Sequence, residues 1–154
     1  MKKLDRIDIK ILDILQKQGR ISLSELSEQV NLSLTPCSER VKRLEKDGVI
    51  TGYHAKLNPK LLDKSLLVFI EIQLSTKSGD VFDKVAQSLL DIPEVLECHL
   101  VSGEFDYLIK ARLKEMSAYR ALLNDILKKL PALASSKSYI AMEEIKESLY
   151  LAID

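Results

Sequence analysis

Apolar residues recur at spacings of three and four along the first fifty residues, which predicts a series of short helices. The first spans residues 4–18, with Asp5 or a neighbour as its N-cap and Gly19 at its end. The second begins at Ser22, because Ser22 and Glu25 have the spacing of a capping box. The apolar face of the first helix is made by Leu4, Ile7, Ile11, Ile14 and Leu15.

A third helix is predicted only a few residues further on. Ser33 or Thr35 suits its N-cap, Pro36 suits its first helical position, and Gly48 ends it. A very short turn therefore joins the second and third helices, an arrangement typical of a helix-turn-helix. The apolar face of the third helix consists of Cys37, Val41 and Leu44.

The next stretch, residues 49–58, alternates apolar and polar side chains and predicts a strand that leads out of the helical unit. Asn58 and Pro59 break this strand. We therefore expect a first domain over residues 1–58 and a second over residues 59–154.

The second part of the chain predicts the order strand, helix, strand, strand, helix, strand. This order is typical of a ferredoxin-like βαββαβ domain, so the expected fold class is α+β, with a winged-helix-like first domain and a strand linker. Pro93 and Pro131 each follow a predicted helix closely. The predicted bounds are 65–74, 80–91, 95–101, 105–113, 116–130 and 137–146.

The first strand of this domain is apolar on both faces over residues 66–72. Two helices can cover only one face of a four-stranded sheet, so the other face needs a partner. We expect a homodimer formed through this face. The alternative is that residues 50–64 or the tail at 149–153 cover it.

Charged residues are distributed unevenly along the chain. The chain has 154 residues and no net charge, but residues 1–60 hold 12 Lys and Arg against 8 Asp and Glu. The basic excess hints at a polyanion partner for this part. The chain shows neither an apolar run of the roughly 20 residues that span a membrane nor a signal peptide. We therefore expect a cytoplasmic protein without a membrane partner.

The third helix carries polar side chains that suit double-stranded DNA. Hydroxyl groups near its start can meet base edges and phosphates in a major groove, and basic residues one turn later can meet flanking phosphates. The alternative is a plain three-helix bundle, since this helix has only four basic against three acidic residues. The candidate DNA-binding residues are Ser33, Thr35, Ser38, Glu39, Arg40, Lys42 and Arg43.

Six motifs, spread in order over nearly the whole chain, resemble the Lrp/AsnC family. They include Thr-Pro-Cys-x-Glu-Arg-Val-x-Arg-Leu-Glu at 35–45 and Ile-x-Gly-Tyr-x-Ala-x-Leu-Asn-Pro at 50–59. The others are the Leu-Asp-Arg-Ile-Asp stretch from residue 4, residues 19–27, 97–107 and 116–120. The resemblance implies a transcriptional regulator of amino-acid metabolism, dimers often assembled into octamers, and a free amino acid bound between C-terminal domains.

The resemblance places the effector site on the Gly-x-x-Asp segment of Gly103 and Asp106. Backbone N–H groups of the turn at residues 102–104 suit a carboxylate, and the carboxylate of Asp106 can meet an ammonium group. Leucine or a similar apolar amino acid is the expected effector, and no cofactor is expected. The candidate effector-binding residues are Leu100, Ser102, Gly103, Asp106, Tyr107, Met116, Ile140 and Ala141.

The sequence has three alternative interpretations. A metal site is not expected, because Cys98 and His99 are adjacent on a strand and point to opposite faces, while Cys37 lies on a buried helix face. An enzyme is not expected, because no nucleophile, base or phosphate loop accompanies Asp106. The remaining alternative is an amino-acid-binding sensor that lacks sequence-specific DNA binding.

Overall fold

The computed structural model describes residues 3–153, and the chain folds as two compact units. The first unit contains the chain up to Lys56 and also the C-terminal segment from Lys146. The second is Leu57–Ile145. The predicted boundary after residue 58 lies two residues from the boundary between Lys56 and Leu57. The predicted second domain, 59–154, differs from the structure because the chain from Lys146 belongs to the first unit.

The first unit contains three helices: α1 at Arg6–Lys17, α2 at Leu23–Gln29 and α3 at Leu34–Lys46. The predicted capping box at Ser22 and Glu25 is confirmed, and Asp5, predicted as an N-cap, also forms a capping box. The Asp5 side chain accepts hydrogen bonds from the N–H groups of Ile7 and Asp8. The Asp8 side chain in turn accepts a hydrogen bond from the Asp5 N–H. Ser22 and Glu25 pair in the same way at the start of α2. The core of this unit is built from Ile11, Leu12, Ile14, Leu26, Val30, Cys37, Val41 and Leu44.

Helix α3 begins earlier than its proline suggested. Ser33 is the N-cap and Leu34 the first helical residue, so Pro36 occupies the third position rather than the first. The third position tolerates proline because backbone N–H groups in the first turn have no acceptor within the helix. The helix ends at Lys46 with Asp47 as its C-cap, and Gly48 follows with φ +70°.

The predicted strand at residues 49–58 is wrong. Residues 51–58 belong to no sheet in the described chain, and Pro59–Leu62 form one turn of 3₁₀ helix. An extended segment becomes a strand only when a neighbour pairs with its backbone, and this chain supplies none here.

The C-terminal segment packs on α1 within the first unit. The Tyr150 hydroxyl donates to Asp13 at 2.6 Å. The Gln16 side chain makes two hydrogen bonds to the Leu151 backbone, at 2.7 and 3.0 Å. The Lys17 ammonium lies 5.3 Å from the centre of the Tyr150 ring, within cation–π range. These contacts extend the helical unit with residues from the far end of the sequence.

The second unit has the predicted βαββαβ order, with all strand pairs antiparallel and the strand order β2-β3-β1-β4. This is the ferredoxin-like arrangement, so the expected fold class is confirmed. The elements are β1 Leu66–Leu74, α4 Gly79–Leu90, β2 Val95–Leu100, β3 Tyr107–Leu113, α5 Met116–Lys129 and β4 Leu133–Ile140.

Strand β4 differs from its prediction, which placed it at residues 137–146. It starts four residues earlier and ends at Ile140. As an edge strand it is largely exposed, so its first half lacks a clear apolar alternation. A bulge between Gln73 and Leu74 also shifts its register. Ala141 still donates its N–H to the Leu67 carbonyl at 2.9 Å, after which the chain leaves the sheet.

The two faces of the sheet are covered differently. One face packs against the helices, and Val68, Ile70 and Ile72 on it are fully buried. The other face carries Leu67 and its cross-strand partner Arg112, both also buried. The Arg112 guanidinium is held by both carboxylate oxygens of Glu144, so the segment after β4 reaches over part of this face. No helix within residues 3–153 is long and apolar enough to cross a membrane.

Candidate nucleic-acid interface and effector site

The start of α3 presents polar groups to solvent. The Ser33 hydroxyl makes no capping hydrogen bond, although the Ser33 carbonyl accepts from the Cys37 N–H at 3.2 Å. Leu34, Thr35 and Pro36 are all exposed. Backbone N–H groups of a first helical turn have no acceptor within the helix. This end of α3 therefore offers hydroxyl and N–H donors to a ligand outside the chain.

The outer face of α3 is a polar stripe. Thr35, Glu39 and Lys42 follow one another at spacings of four and three, and all three are exposed. Lys46 continues the stripe at a further spacing of four. Ser38 lies half-buried beside it. Four of the predicted DNA-binding residues therefore share one accessible region with Ser33.

The other two predicted residues, Arg40 and Arg43, lie on the flank of α3 that faces α1. The Arg40 Nη1 atom is 2.6 Å from Asp5 Oδ2 and 2.8 Å from Asp8 Oδ1. The Arg43 Nη2 atom is 2.6 Å from Asp8 Oδ2. Hydrogen bonds from the Asp8 N–H and then from Arg40 lower the pKa of Asp5, so its carboxylate is held charged. Both guanidinium groups are thus engaged within the chain, yet each carries five donors and remains partly exposed.

Sequence reasoning missed Asp8. It is the single carboxylate on the buried side of α1, where it is 1% exposed. A carboxylate on an otherwise apolar helical stripe needs a charged or hydrogen-bonding partner. The position of Asp8 in the sequence could therefore have indicated a buried ion pair.

The predicted turn between β2 and β3 forms as expected. Ser102, Gly103 and Glu104 are exposed, and the Val101 N–H donates to the Asp106 carbonyl at 2.9 Å to close the connection. Gly103 has φ +153°, a conformation that side-chain-bearing residues rarely adopt. A Cβ there would meet no atom within 4 Å, so glycine is required by the backbone and not by crowding.

Asp106 is buried, 5% exposed, and already has partners. Its Oδ2 accepts from the Leu74 N–H at 2.8 Å, and its Oδ1 lies 2.8 Å from the Lys77 ammonium. Burial opposes ionisation, but the Leu74 N–H and the Lys77 ammonium outweigh it and lower the pKa of the Asp106 carboxyl. The side chain is therefore a charged anchor of the hairpin, and an external ammonium would replace or join Lys77.

The apolar candidates divide into a buried and an exposed set. Tyr107 is 3% exposed, and its hydroxyl donates to the Phe82 carbonyl at 3.1 Å, so it belongs to the core under the helices. Its cross-strand partner Leu100 is 59% exposed on the edge strand β2. Met116 and Ile140 are also about half exposed.

The structure does not bring all the effector candidates together in one chain. Tyr107 pairs with Ile72 and Leu100 near one end of β1, whereas Ile140 pairs with Val68 near the other. Leu100 and Ile140 lie on opposite edge strands, so they are about 20 Å apart from strand spacing and rise. One group contains Leu100, Ser102, Gly103, Asp106 and Tyr107, and the other contains Met116, Ile140 and Ala141.

Side chains that could ligate a metal stay apart. Cys37 is buried and Cys98 is exposed. Burial raises the pKa of the Cys37 thiol, which disfavours the thiolate that binds metals. Over residues 3–153, no group of three or more His, Cys, Asp or Glu side chains is placed to hold a metal ion.

A helix-turn-helix unit followed by a ferredoxin-like unit defines a class of DNA-binding proteins with a separate ligand-binding domain. Residues 4–51 match the winged helix-turn-helix DNA-binding family, and residues 67–151 match the Lrp/AsnC ligand binding domain. The chain belongs to the Lrp/AsnC family.

Individual relatives agree with this assignment. The chain is 55% identical over 152 residues to the leucine-responsive regulatory proteins of Klebsiella pneumoniae and Escherichia coli K12, covering 99% of this chain and 93% of each relative. Among solved structures, the transcriptional regulator NMB0573 of Neisseria meningitidis, in complex with L-Met, is 37% identical with a TM-score of 0.91, over 97% of both chains.

An AsnC family transcriptional regulator from Agrobacterium tumefaciens is 33% identical with a TM-score of 0.93, again over 97% of both chains. These relatives are regulators and not enzymes, in agreement with the expectation for this chain. The family's two-domain design pairs DNA binding with ligand binding.

Proposed function

We propose that the protein regulates transcription of genes of amino-acid metabolism by binding double-stranded DNA through α3, and that a free amino acid modulates this binding. The observation that carries the proposal is the exposed polar stripe of α3 (Thr35, Glu39, Lys42 and Lys46), which begins at the uncapped Ser33 hydroxyl. A stripe of this size fits the major groove of B-DNA. A regulator that acts on chromosomal DNA works in the cytoplasm.

The DNA-contact residues divide by role. Ser33, Thr35 and Ser38 offer hydroxyl groups to base edges and to the nearest phosphates. Glu39 can accept a hydrogen bond from a cytosine amino group. Lys42 meets the backbone as a point charge, and Arg40 and Arg43 bind phosphates with donors that the two Asp side chains leave available.

The first test is DNA selection followed by fluorescence anisotropy. Purified full-length protein selects fragments from a random duplex pool, and binding to the enriched site is measured at several salt concentrations. Thr35→Ala should weaken binding to the selected site about tenfold, the value of one good base contact. Lys42→Ala should weaken selected and scrambled sites alike and reduce the salt slope by about 1 for each engaged subunit.

The matched control is Lys128→Ala, which removes an exposed lysine from the last turn of α5 in the other unit. It should leave both affinities and the salt slope unchanged. Failure to enrich any sequence would contradict DNA recognition. That result would favour the alternative, an amino-acid-binding sensor without sequence-specific DNA binding.

The proposed effector pocket lies between two copies of the chain. Leu100, which precedes the turn at Gly103, and Ile140, at the end of β4, are about 20 Å apart within one chain, too far to touch a single amino acid. A pocket that uses both groups therefore takes Leu100, Ser102, Gly103, Asp106 and Tyr107 from one subunit, and Met116, Ile140 and Ala141 from a neighbour.

We propose leucine as the effector. The turn at residues 102–104 supplies backbone N–H groups for the carboxylate, and Asp106 supplies the negative charge for the ammonium. Exposed Leu100, Met116 and Ile140 supply an apolar wall for the side chain. The names of the 55% identical relatives point to leucine, and the L-Met complex of the Neisseria regulator makes methionine the next candidate.

A pocket shared between subunits couples effector binding to assembly. We propose a homodimer formed through the sheet face of Leu67 and Arg112, and association of dimers up to an octamer. A ligand that binds one assembly state more tightly shifts the equilibrium toward that state by its difference in affinity. Leucine would thereby change how many DNA-binding units engage one DNA molecule.

Calorimetric titration with L-leucine, L-methionine and D-leucine tests the effector, and sedimentation velocity with and without L-leucine tests the coupling. We expect L-leucine to bind and to change the distribution of assemblies, whereas D-leucine should not bind. One unchanged assembly across the titration would contradict the coupling, and binding of L-methionine alone would replace leucine as the effector.

A further inference from the structure

Helix α1 contains one buried carboxylate, which is not among the proposed DNA-contact residues. Asp8 is 1% exposed and lies among the apolar residues of the first unit's core. A buried carboxylate is strongly unfavourable unless charged or hydrogen-bonding partners surround it. The Asp8 carboxylate therefore depends on charged or hydrogen-bonding partners at this position.

Asp8 is bound by two arginines of α3 at the same time. Its Oδ1 lies 2.8 Å from Arg40 Nη1, and its Oδ2 lies 2.6 Å from Arg43 Nη2. Its Oδ2 also accepts from the Asp5 N–H at 3.2 Å, and Asp5 holds Arg40 from the other side. Arg40 and Arg43 are three residues apart, so this cluster grips almost one full turn of α3.

The ion pairs of Asp8 with Arg40 and Arg43 fix the rotation of α3 about its own axis. Arg40 and Arg43 project from one flank of the helix, whereas Thr35, Glu39 and Lys42 project from its outer face. If Arg40 and Arg43 move relative to α1 by a rotation of α3, the outer face of the helix turns by the same angle. Discrimination between base pairs depends on hydrogen bonds between side chains and base edges, so a rotation of α3 that moves these side chains weakens discrimination.

The charges of the cluster point to the same role. Asp5 and Asp8 offset the two guanidinium groups, so the cluster adds little net charge to attract a polyanion. Its contribution to DNA binding is accordingly geometric. The exposed Lys42 lies outside the cluster and keeps its full charge for phosphates, whereas Arg40 and Arg43 can offer phosphates only the donors that Asp5 and Asp8 leave available.

We propose that Asp8 is a positioning residue that determines DNA specificity, by setting the orientation of α3 and the placement of the Arg40 and Arg43 guanidinium groups. This inference rests on the proposed function of α3. It makes an unusual prediction: removal of a negative charge near the DNA-binding helix should reduce specific binding while preserving or raising nonspecific binding.

The test compares Asp8→Asn with the wild-type chain by anisotropy, on the selected duplex and on a scrambled duplex of equal length. The readout is the ratio of the two affinities at one salt concentration. We expect the ratio to fall at least tenfold in Asp8→Asn. Partial unfolding lowers both affinities by one common factor and leaves the ratio unchanged, so the ratio separates positioning from stability.

The matched control is Asp13→Asn, which makes the same change in charge on the same helix but away from the arginine cluster. It should keep the wild-type ratio. Because Asp8→Asn can fail to fold, Asp5→Asn is the second variant. Asparagine keeps the N-cap while the charged partner of Arg40 is lost, and the ratio should fall by a smaller factor.

The outcomes are distinguishable. A wild-type chain that does not discriminate the selected duplex from the scrambled one overturns the proposed function and this inference with it. A discriminating wild-type chain whose ratio survives in both Asp8→Asn and Asp5→Asn overturns this inference alone. If only Asp5→Asn folds, its unchanged ratio has the same meaning.

Discussion

The Leu74 N–H donates a hydrogen bond to the Asp106 carboxylate at 2.8 Å, across the junction where β1 ends and β3 is about to begin. The Asp106 main chain adds two more bonds, from its N–H to the Ile72 carbonyl at 2.8 Å and from the Val101 N–H to its carbonyl at 2.9 Å. One residue thus joins β1 to both sides of the turn at Gly103. The proposed effector turn is held by a structural anchor.

Asp106→Ala should lower the free energy of unfolding. The Leu74 N–H would be buried without an acceptor, a loss of about 1–3 kcal/mol. Lys77→Ala removes only the half-exposed ion pair and should change stability by less than about 1 kcal/mol. Urea unfolding followed by circular dichroism measures both. Equal losses in the two variants would show that the backbone hydrogen bond contributes nothing beyond the surface ion pair.

The lowered pKa of Asp106 predicts acid sensitivity. A carboxyl whose pKa is lower in the folded than in the unfolded state stabilises the fold above the unfolded pKa, and this stabilisation is lost as the pH falls through the folded pKa. Unfolding midpoints in urea should therefore drop as the pH falls below about 4, the ordinary value for Asp. Asp106→Asn should show a shallower drop. Parallel pH profiles for the two proteins would contradict this prediction.

Substitution of Gly103 by alanine tests backbone strain, and the same substitution at Gly79 is its control. A Cβ on either would meet no atom within 4 Å, but only Gly103 has a positive φ, of +153°. Gly103→Ala should therefore destabilise the chain by about 1–3 kcal/mol through backbone strain. Gly79→Ala, in the first turn of α4, should be neutral or stabilise by up to about 1 kcal/mol.

The same pair tests the effector site. If the turn at Gly103 binds the amino-acid carboxylate, Gly103→Ala should also weaken L-leucine in calorimetric titration at a temperature where both variants are folded, and Gly79→Ala should not. Unchanged leucine affinity in Gly103→Ala would remove the turn from the effector site.

Tyr150→Phe should increase local opening of α1, because it removes a hydrogen bond between the C-terminal segment and this helix. The Tyr150 hydroxyl donates a hydrogen bond to Asp13 at 2.6 Å on an exposed surface, so we expect only a small loss of stability. Hydrogen exchange of the α1 amides, followed by mass spectrometry, should accelerate in this variant. Tyr139→Phe, on the exposed face of β4 in the other unit, is the control and should leave α1 exchange unchanged.

Local signals were sufficient for much of the fold. The Asp5 and Ser22 caps each fix a helix start within three residues, so α1 and α2 could be placed from the sequence. The apolar runs of β1 and β3 and the helical stripes of α4 and α5 were as clear, because each buries a continuous face.

The errors occurred where distant contacts decide the structure. Residues 51–58 have the alternation of a strand but no strand beside them. β4 is an edge strand whose first half is polar, so its position depends on pairing with β1 and on the bulge at Gln73. The binding partner of Arg40 and Arg43 was missed because Asp8 is 32 residues away from Arg40 along the chain.

For the effector site, the sequence placed the turn and Asp106 correctly in one hairpin. It could not show that Ile140 and Met116 lie at the other end of the sheet, because that depends on strand order and register. It also could not show that the Asp106 carboxylate already binds Leu74 and Lys77.

The contact between Gln16 and Leu151 joins residues that are 135 positions apart. During synthesis on the ribosome, helices α1 to α3 emerge before the sheet domain, yet the segment that completes their unit emerges after it. The DNA-binding unit therefore reaches its finished form only after the sheet domain has been made. A nascent chain that has not yet reached Lys146 thus presents α1 without the segment that packs on it.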